Sequence, residues 1–119
     1  AFMWIRNTKE NHGNIFNDCT FKGLGKDAVI ARLPDNKGRN YPDAECVLLN
    51  CTLDGVPAEG FGPVDETASK AVLLEFNSHD KEGKTIDISK RNKHVRQLDA
   101  IKDAETIGKY SNANWVLNW

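Results

Sequence analysis

The chain has 119 residues, with 16 Lys and Arg against 17 Asp and Glu and a formal charge of −1. This length suits one small domain or part of a larger one, and the balanced charge argues against the concentrated positive surface that duplex nucleic acid needs. No apolar run approaches the roughly 18–20 residues of a membrane span. The sequence opens without an initiator Met or a signal segment, which predicts a trimmed or internal fragment.

An internal repeat is the most informative feature of the sequence. Residues 15–23 (IFNDCTFKG) reappear 32 positions later as residues 47–55 (VLLNCTLDG), and a weaker copy begins 25 residues further on at Val72. Apolar residues mostly align with apolar residues at alternate positions. A polar residue separates them in each copy: Asp18, Asn50 and Glu75. This pattern predicts strands that stack copy upon copy with one face inward.

The stretches between the copies favour a solenoid. They hold a further strand-like run at 28–32 (AVIAR) and turns rich in Gly and Pro, with no helical pattern. One strand–turn–strand–turn circuit per repeat is typical of a right-handed parallel β-helix, so we predict an all-β fold of this type. An antiparallel β-sandwich whose strands merely look alike is the alternative.

The rest of the chain is predicted to form loops and a cap. Three polar or Pro- and Gly-rich stretches are assigned to the surface: 33–43, 56–64 and 78–93. Residues 97–108 carry apolar side chains at i+3 spacing, which predicts a helix that Asp99 or Asp103 could cap. The expected organisation is a single partial domain, with coils over 1–78, a charged excursion over 78–95 and a C-terminal cap over 96–119.

Cysteine and histidine spacing argues against a disulfide framework or a zinc site. Three thiols cannot all pair within one chain, and none of them forms a C-x-x-C motif. The three histidines are scattered. We predict free, mostly buried thiols and no metal. Cys19 and Cys51 align in the repeat, so they should lie on neighbouring coils about 5 Å apart, with parallel side chains that disfavour a bridge.

In order and spacing, these elements resemble the C-terminal part of the pectin methylesterase family, carbohydrate esterases built on a right-handed parallel β-helix. The matching stretches are 14–21 (NIFNDCTF), 30–32 (IAR), 47–51 (VLLNC), 57–61 (PAEGF), 74–78 (LEFNS) and 104–110 (AETIGKY). The resemblance implies hydrolysis of methyl esters on the galacturonate units of pectin, without a cofactor. It also implies an extracellular or periplasmic enzyme that is monomeric at full length.

The resemblance assigns a catalytic role to Arg32, which would hold the nucleophilic aspartate in position and keep it ionised. In the family the two catalytic aspartates and nearby glutamines precede this region, so the isolated chain is expected to be inactive. The family's arginine is followed by Pro-Trp, whereas Leu33 and Pro34 follow Arg32 here.

Contacts with pectin are predicted from residue type. Tyr41 and Phe61 offer rings that could stack on a sugar, whereas Trp4 lies in an alternating segment and is assigned to the core. Arg39, with Lys26 and Lys37, could attract the anionic polymer. His12, Asp35 and Asp43 are polar turn residues for which a surface position is the simpler interpretation.

Two other functions fit the same fold. A pectate lyase-type β-helix would cleave pectin by β-elimination, usually with calcium held by clustered carboxylates, and no compact carboxylate cluster is visible in the sequence. A noncatalytic carbohydrate-binding module would retain pectin binding in this chain alone.

Overall fold

A computed structural model describes residues 1–25, 27–33, 43–62, 64 and 70–117. The strands are β1 (Met3–Trp4), β2 (Asn14–Asn17), β3 (Thr20–Lys22), β4 (Ala31–Arg32), β5 (Glu45–Leu49), β6 (Thr52–Asp54), β7 (Val72–Phe76) and β8 (Val95–Gln97). Two short helices follow, α1 (Ala104–Tyr110) and α2 (Ala113–Val116). Within the described ranges, no helix combines the length and apolar character needed to cross a bilayer.

Every pairing between these strands is parallel. A four-stranded sheet has the order β2-β5-β7-β8, and two further sheets each contain two strands, β1 with β4 and β3 with β6. Parallel neighbours require a long connection that returns the chain to the same end of the sheet. Each circuit of the backbone therefore lies beside the previous one.

The first two copies of the repeat pair in the predicted register, and the third is shifted. Ile15 lies opposite Val47, 32 positions on. Val47 lies opposite Leu74, so the predicted alignment of Val47 with Val72 is wrong by two residues. Glu75 is consequently not the outward polar position that the repeat predicted; it is fully buried within β7.

The true polar position of the third copy is Asn77. Asp18, Asn50 and Asn77 all adopt the left-handed conformation, with φ of 57°, 56° and 55°. The Asn77 amide donates a hydrogen bond of 2.9 Å to Oδ1 of Asn50. Asn and Asp tolerate this backbone region better than other residues with a Cβ. The shared conformation turns the chain at the same point after β2, β5 and β7.

The central sheet is covered on both faces. Alternate residues of β5 enter two core clusters, one around Cys46 and Leu48 and the other around Val47 and Leu49. Leu98, Ile107 and Tyr110 cover the second face, which explains why every residue of β5 is buried. Parallel strands covered on both faces show such continuous apolar runs instead of strict alternation.

The C-terminal helix begins later than predicted. Val95–Gln97 form β8 beside β7, and α1 begins at Ala104, not near residue 97. Oδ1 of Asp99 accepts the backbone N–H groups of Ile101 and Lys102 at 2.8 Å and holds a turn before the helix. Asp103 is the N-cap residue, but its side chain makes no capping bond. Ile101, one of the apolar residues at i+3 spacing, is 88% exposed.

All three cysteines are free. The Thr52 amide donates to the Cys19 carbonyl at 2.8 Å, which places the segments of Cys19 and Cys51 side by side. Burial raises the pKa of the Cys46 and Cys51 thiols. Both thiols therefore stay protonated at neutral pH and act as small apolar groups of the core.

Candidate functional site

Arg32 lies at the end of β4, directly opposite Trp4 of β1. The guanidinium carbon of Arg32 is 5.3 Å from the centre of the Trp4 ring, and that of Arg6 is 5.1 Å from the same ring. Cations at this distance are attracted to the electron-rich indole face. These three residues form what we call the arginine–tryptophan cluster.

Trp4 is 40% exposed, so its predicted place in the core is wrong. Its aromatic ring lies beside Arg32 in space. The residues that follow Arg32 in the sequence, Leu33 and Pro34, are not aromatic. The β1–β4 pairing brings the two residues together across 28 positions, from Met3 opposite Ala31. The repeat could not reveal this, because its period in the first two copies is 32 residues.

The Nε–H group of Arg32 is buried and has no hydrogen-bond partner among the described residues. Its chain neighbours Ala31 and Leu33 are both buried, which keeps the base of the side chain away from solvent. A buried unpaired N–H group costs about 1–3 kcal/mol, and more when it carries charge. A guanidinium with a free donor fits a planar acceptor such as a carboxylate.

Arg32 borders an open cavity of about 520 Å³. Its other lining residues are Ala1, Asp27, Val29, Glu59, Phe61, Gly62 and Asn92. The turn at 57–62 forms one wall and is bonded to the β4 segment. The Ile30 amide donates to the carbonyl of Gly60 at 2.7 Å, and the Gly62 amide donates to the carbonyl of Ala31 at 2.9 Å.

The predicted sugar-contacting residues are placed differently from expectation. Phe61 is 1% exposed and packs in the main core cluster, so its ring has no exposed face on which a sugar could stack. Tyr41 and Arg39 lie outside the described residues, as do Lys26, Lys37 and Asp35.

A buried ion pair between Glu75 and Arg91 is hydrogen-bonded to the turn at 57–62. Glu75 accepts two hydrogen bonds of 2.9 Å from Arg91, and Arg91 donates another of 3.0 Å to the carbonyl of Ala58. The Asn92 amide donates to the carbonyl of Glu59 at 2.8 Å. A Cβ at Gly60 would lie only 2.8 Å from Cδ of Arg91, so this position has room for glycine alone unless Arg91 shifts.

Glu75 is charged in the folded protein. Burial acts to raise its pKa, but the guanidinium of Arg91 and hydrogen bonds from Ser78 and Gln97 outweigh burial, so the pKa is lowered overall. The signal that could have identified this network in the sequence is a glutamate within the apolar run 72–76, because glutamate is almost never fully buried unless it is paired.

Among the described residues, no group of three or more His, Cys, Asp or Glu side chains could hold a metal ion. No protein-family model, curated protein or solved structure matches this chain.

Proposed function

We propose that this chain is the C-terminal part of a pectin methylesterase-like enzyme that hydrolyses the methyl esters of galacturonate in pectin. The fold that we propose with it is a right-handed parallel β-helix with a helical C-terminal cap. The parallel pairing of β1 to β8, the 32-residue register of the first two copies and the repeated left-handed turn after β2, β5 and β7 support this fold.

The observation that carries the proposal is the unpartnered Nε–H group of Arg32 at the edge of a cavity. In the proposed reaction, an aspartate attacks the ester carbonyl and displaces methanol, a second carboxylic acid protonates the leaving oxygen, and water then hydrolyses the acyl-enzyme. Side-chain amides would stabilise the oxyanion. These groups are proposed to come from residues outside the printed sequence.

Arg32 would act by holding the attacking carboxylate. Its planar fork can donate two parallel hydrogen bonds to that group, which fixes its direction and favours its ionised form. The Trp4 ring restricts the guanidinium from one side through the contact at 5.3 Å. Trp4 also presents an exposed aromatic surface beside Arg32, and Arg6 adds a second cation that suits a polymer of uronates.

The decisive experiment compares Arg32→Lys with the wild type in the enzyme expressed from its full reading frame. Lysine keeps the charge but loses the fork, so we expect kcat on methylated pectin, followed as acid release at constant pH, to fall about 10²-fold or more. Arg96→Lys is the matched control, because Arg96 has a side chain that is 61% exposed and pairs with Asp103 on the surface.

Unchanged ester hydrolysis in Arg32→Lys would refute the proposed role of Arg32. Calcium-dependent formation of unsaturated sugars would instead indicate a lyase. Binding of pectin by the 119-residue chain with no esterase activity in the full-length protein would indicate a noncatalytic carbohydrate-binding module.

A further inference from the structure

A second polar cluster lies away from Arg32 and is built around the carboxylate of Glu45. This side chain begins β5, and the residue is 7% exposed. Its Oε1 atom lies 2.8 Å from Nδ1 of His12 and accepts the Gly13 amide at 3.0 Å. Oε2 accepts the hydroxyl of Tyr110. Three segments that are far apart in sequence therefore meet on one buried carboxylate.

The carboxylate orients the His12 ring. When the imidazole is neutral, a carboxylate beside Nδ1 favours the proton on that nitrogen and leaves Nε2 as a hydrogen-bond acceptor. Two aromatic rings also contact the imidazole: Trp115 is tilted against it at a centre-to-centre distance of 4.5 Å, and Tyr110 meets it edge-on at 5.8 Å. Tyr110 contacts Trp115 edge-on at 5.1 Å.

His12 and Trp115 face an open cavity of about 820 Å³. The other residues that line it are Glu10, Asn11, Gly13, Asn112, Asn114, Val116 and Leu117. Its volume lies within the range of about 300–1,000 Å³ that is usual for small-ligand sites. None of its lining residues borders the cavity at Arg32, so the two sites are separate.

We infer that the cavity beside His12 and Trp115 binds a neutral saccharide. The side-chain amides of Asn11 and Asn114 can donate to and accept from sugar hydroxyls, and the NH₂ group of Asn112 can donate while its Oδ1 accepts the Asn114 backbone N–H at 3.0 Å. Trp115 is 37% exposed, and the accessible part of its ring offers an apolar surface for sugar C–H groups. The site goes beyond the proposed function, because it needs neither an ester nor a uronate.

The charges at the site select against an acidic ligand. Glu10 lines the cavity, and no Lys or Arg is among the described residues that line it. Lys109, which does not line the cavity, lies 6.0 Å from the centre of the Trp115 ring and pairs with Glu105 at 3.3 Å. A negatively charged sugar would approach the Glu10 carboxylate without a dedicated counter-charge, whereas a neutral sugar gains the amide contacts without this repulsion.

The test uses β-1,4-galactotetraose, a neutral oligosaccharide, with the 119-residue chain. We expect saturable shifts of the Trp115 indole N–H and of the His12 ring protons in NMR titrations. Asn11→Ala and Asn114→Ala should each weaken binding about twofold to tenfold through loss of a hydrogen-bonding amide. The contacts of Asn11 and Asn114 within the fold described here are made by their backbone, so both variants should fold.

Trp115→Ala should abolish the saturable shifts of His12, and Leu24→Ala is its control, because Leu24 is a 93% exposed apolar residue that does not line this cavity. Tetragalacturonate should bind this cavity at least several-fold more weakly than galactotetraose. Absence of saturable binding would overturn the inference, as would binding that Asn11→Ala and Asn114→Ala leave unchanged or that Leu24→Ala removes. Loss of esterase activity in Arg32→Lys would not affect this result, because the probe contains no ester.

Discussion

Among the residues that the structure describes, two glutamates on neighbouring strands are buried, and they are stabilised in different ways. Glu75 on β7 is bound by the guanidinium of Arg91, a group that remains charged at all physiological pH values. Glu45 on β5 is bound by an imidazole, a backbone amide and a phenol. At neutral pH Glu75 is thereby a charged anchor of the core, whereas two of the groups that hold Glu45, those of His12 and Gly13, also line a cavity.

The difference matters for function because the two carboxylates support different surfaces. Arg91 links Glu75 to the turn at 57–62, which forms one wall of the cavity at Arg32. Glu45 links the segment around His12 to the C-terminal helices through Tyr110. Breaking either carboxylate cluster should therefore disturb one site and leave the other in place.

The largest effect is expected for Arg91→Met. Methionine fills much of the volume but leaves the Glu75 charge buried without its counter-ion, which costs about 3–5 kcal/mol of unfolding free energy. Urea denaturation at neutral pH measures this loss. Arg96→Met is the control, because its exposed pair with Asp103 should contribute about 1 kcal/mol or less. Equal losses in the two variants would contradict the role of Glu75 as a charged anchor.

The cost of Arg91→Met should also depend on pH. The folded pKa of Glu75 is lowered, so the stability that its ionisation contributes is present above the unfolded pKa of about 4.3 and is lost as pH falls through the folded pKa. Protonated Glu75 no longer needs a cation. The stability difference between the wild type and Arg91→Met should therefore shrink on acidification below about pH 4, and a constant difference would refute this explanation.

A smaller loss, about 2 kcal/mol, is expected for Glu45→Gln. The amide can accept only part of the three hydrogen bonds that the carboxylate takes, and its NH₂ group would face the donors of Gly13 or Tyr110. Chemical denaturation followed by tryptophan fluorescence checks this. Glu105→Gln is the control, because the Glu105 side chain is 86% exposed. A loss as large as that of Arg91→Met would remove the distinction between the two carboxylates.

Sequence reasoning recovered the stacking of the first two copies because nine aligned positions fix the register of Ile15 with Val47. It misplaced the third copy by two residues, from Val72 to Leu74. Side chains alternate with a period of two, so a shift of one residue exchanges the two faces of a strand, whereas a shift of two preserves them. Apolar alternation alone cannot distinguish the two alignments. The backbone conformation of Asn77 does, because it has the same positive φ as Asp18 and Asn50.

The site was only partly predictable for a related reason. Arg32 was assigned its role by the resemblance, and its position after an apolar run and before a turn added only weak support. Its neighbour Trp4 depends on a pairing between two-residue strands that have no repeat signal. Glu45 and Tyr110 are 65 positions apart and meet only because the C-terminal segment covers the outer face of β5. Contacts made by a cap are not encoded in the period of the strands that it covers.

The smallest effect is expected for Tyr110→Phe, which removes the hydrogen bond from the Tyr110 hydroxyl to Glu45. Burial, and then the hydrogen bond to Glu45, raise the pKa of Tyr110 because both disfavour the phenolate. A phenol whose pKa is higher in the folded than in the unfolded state adds to the free energy of unfolding. This contribution is fully present below the unfolded pKa of about 10 and is lost as pH rises above that value. At neutral pH, Tyr110→Phe should cost about 1.5 kcal/mol, the lower end for a hydrogen bond to a charged group. The wild-type advantage should decrease above about pH 10, when unfolded chains gain phenolate.

Ultraviolet titration in a Tyr41→Phe background isolates the phenol of Tyr110, because the chain has two tyrosines. Phenolate absorbance should then appear only together with alkaline unfolding. Tyr110→Gln extends the test: it keeps a polar group but cannot follow the same ionisation, so its stability difference from Tyr110→Phe should stay flat with pH. If Tyr110 ionised freely near pH 10 in the folded protein, the hydrogen bond to Glu45 could not be what joins the C-terminal helix to β5. Glu45 would then be an anchor for His12 and Gly13 alone, and the cap would rest on the apolar contacts of Leu98 and Ile107.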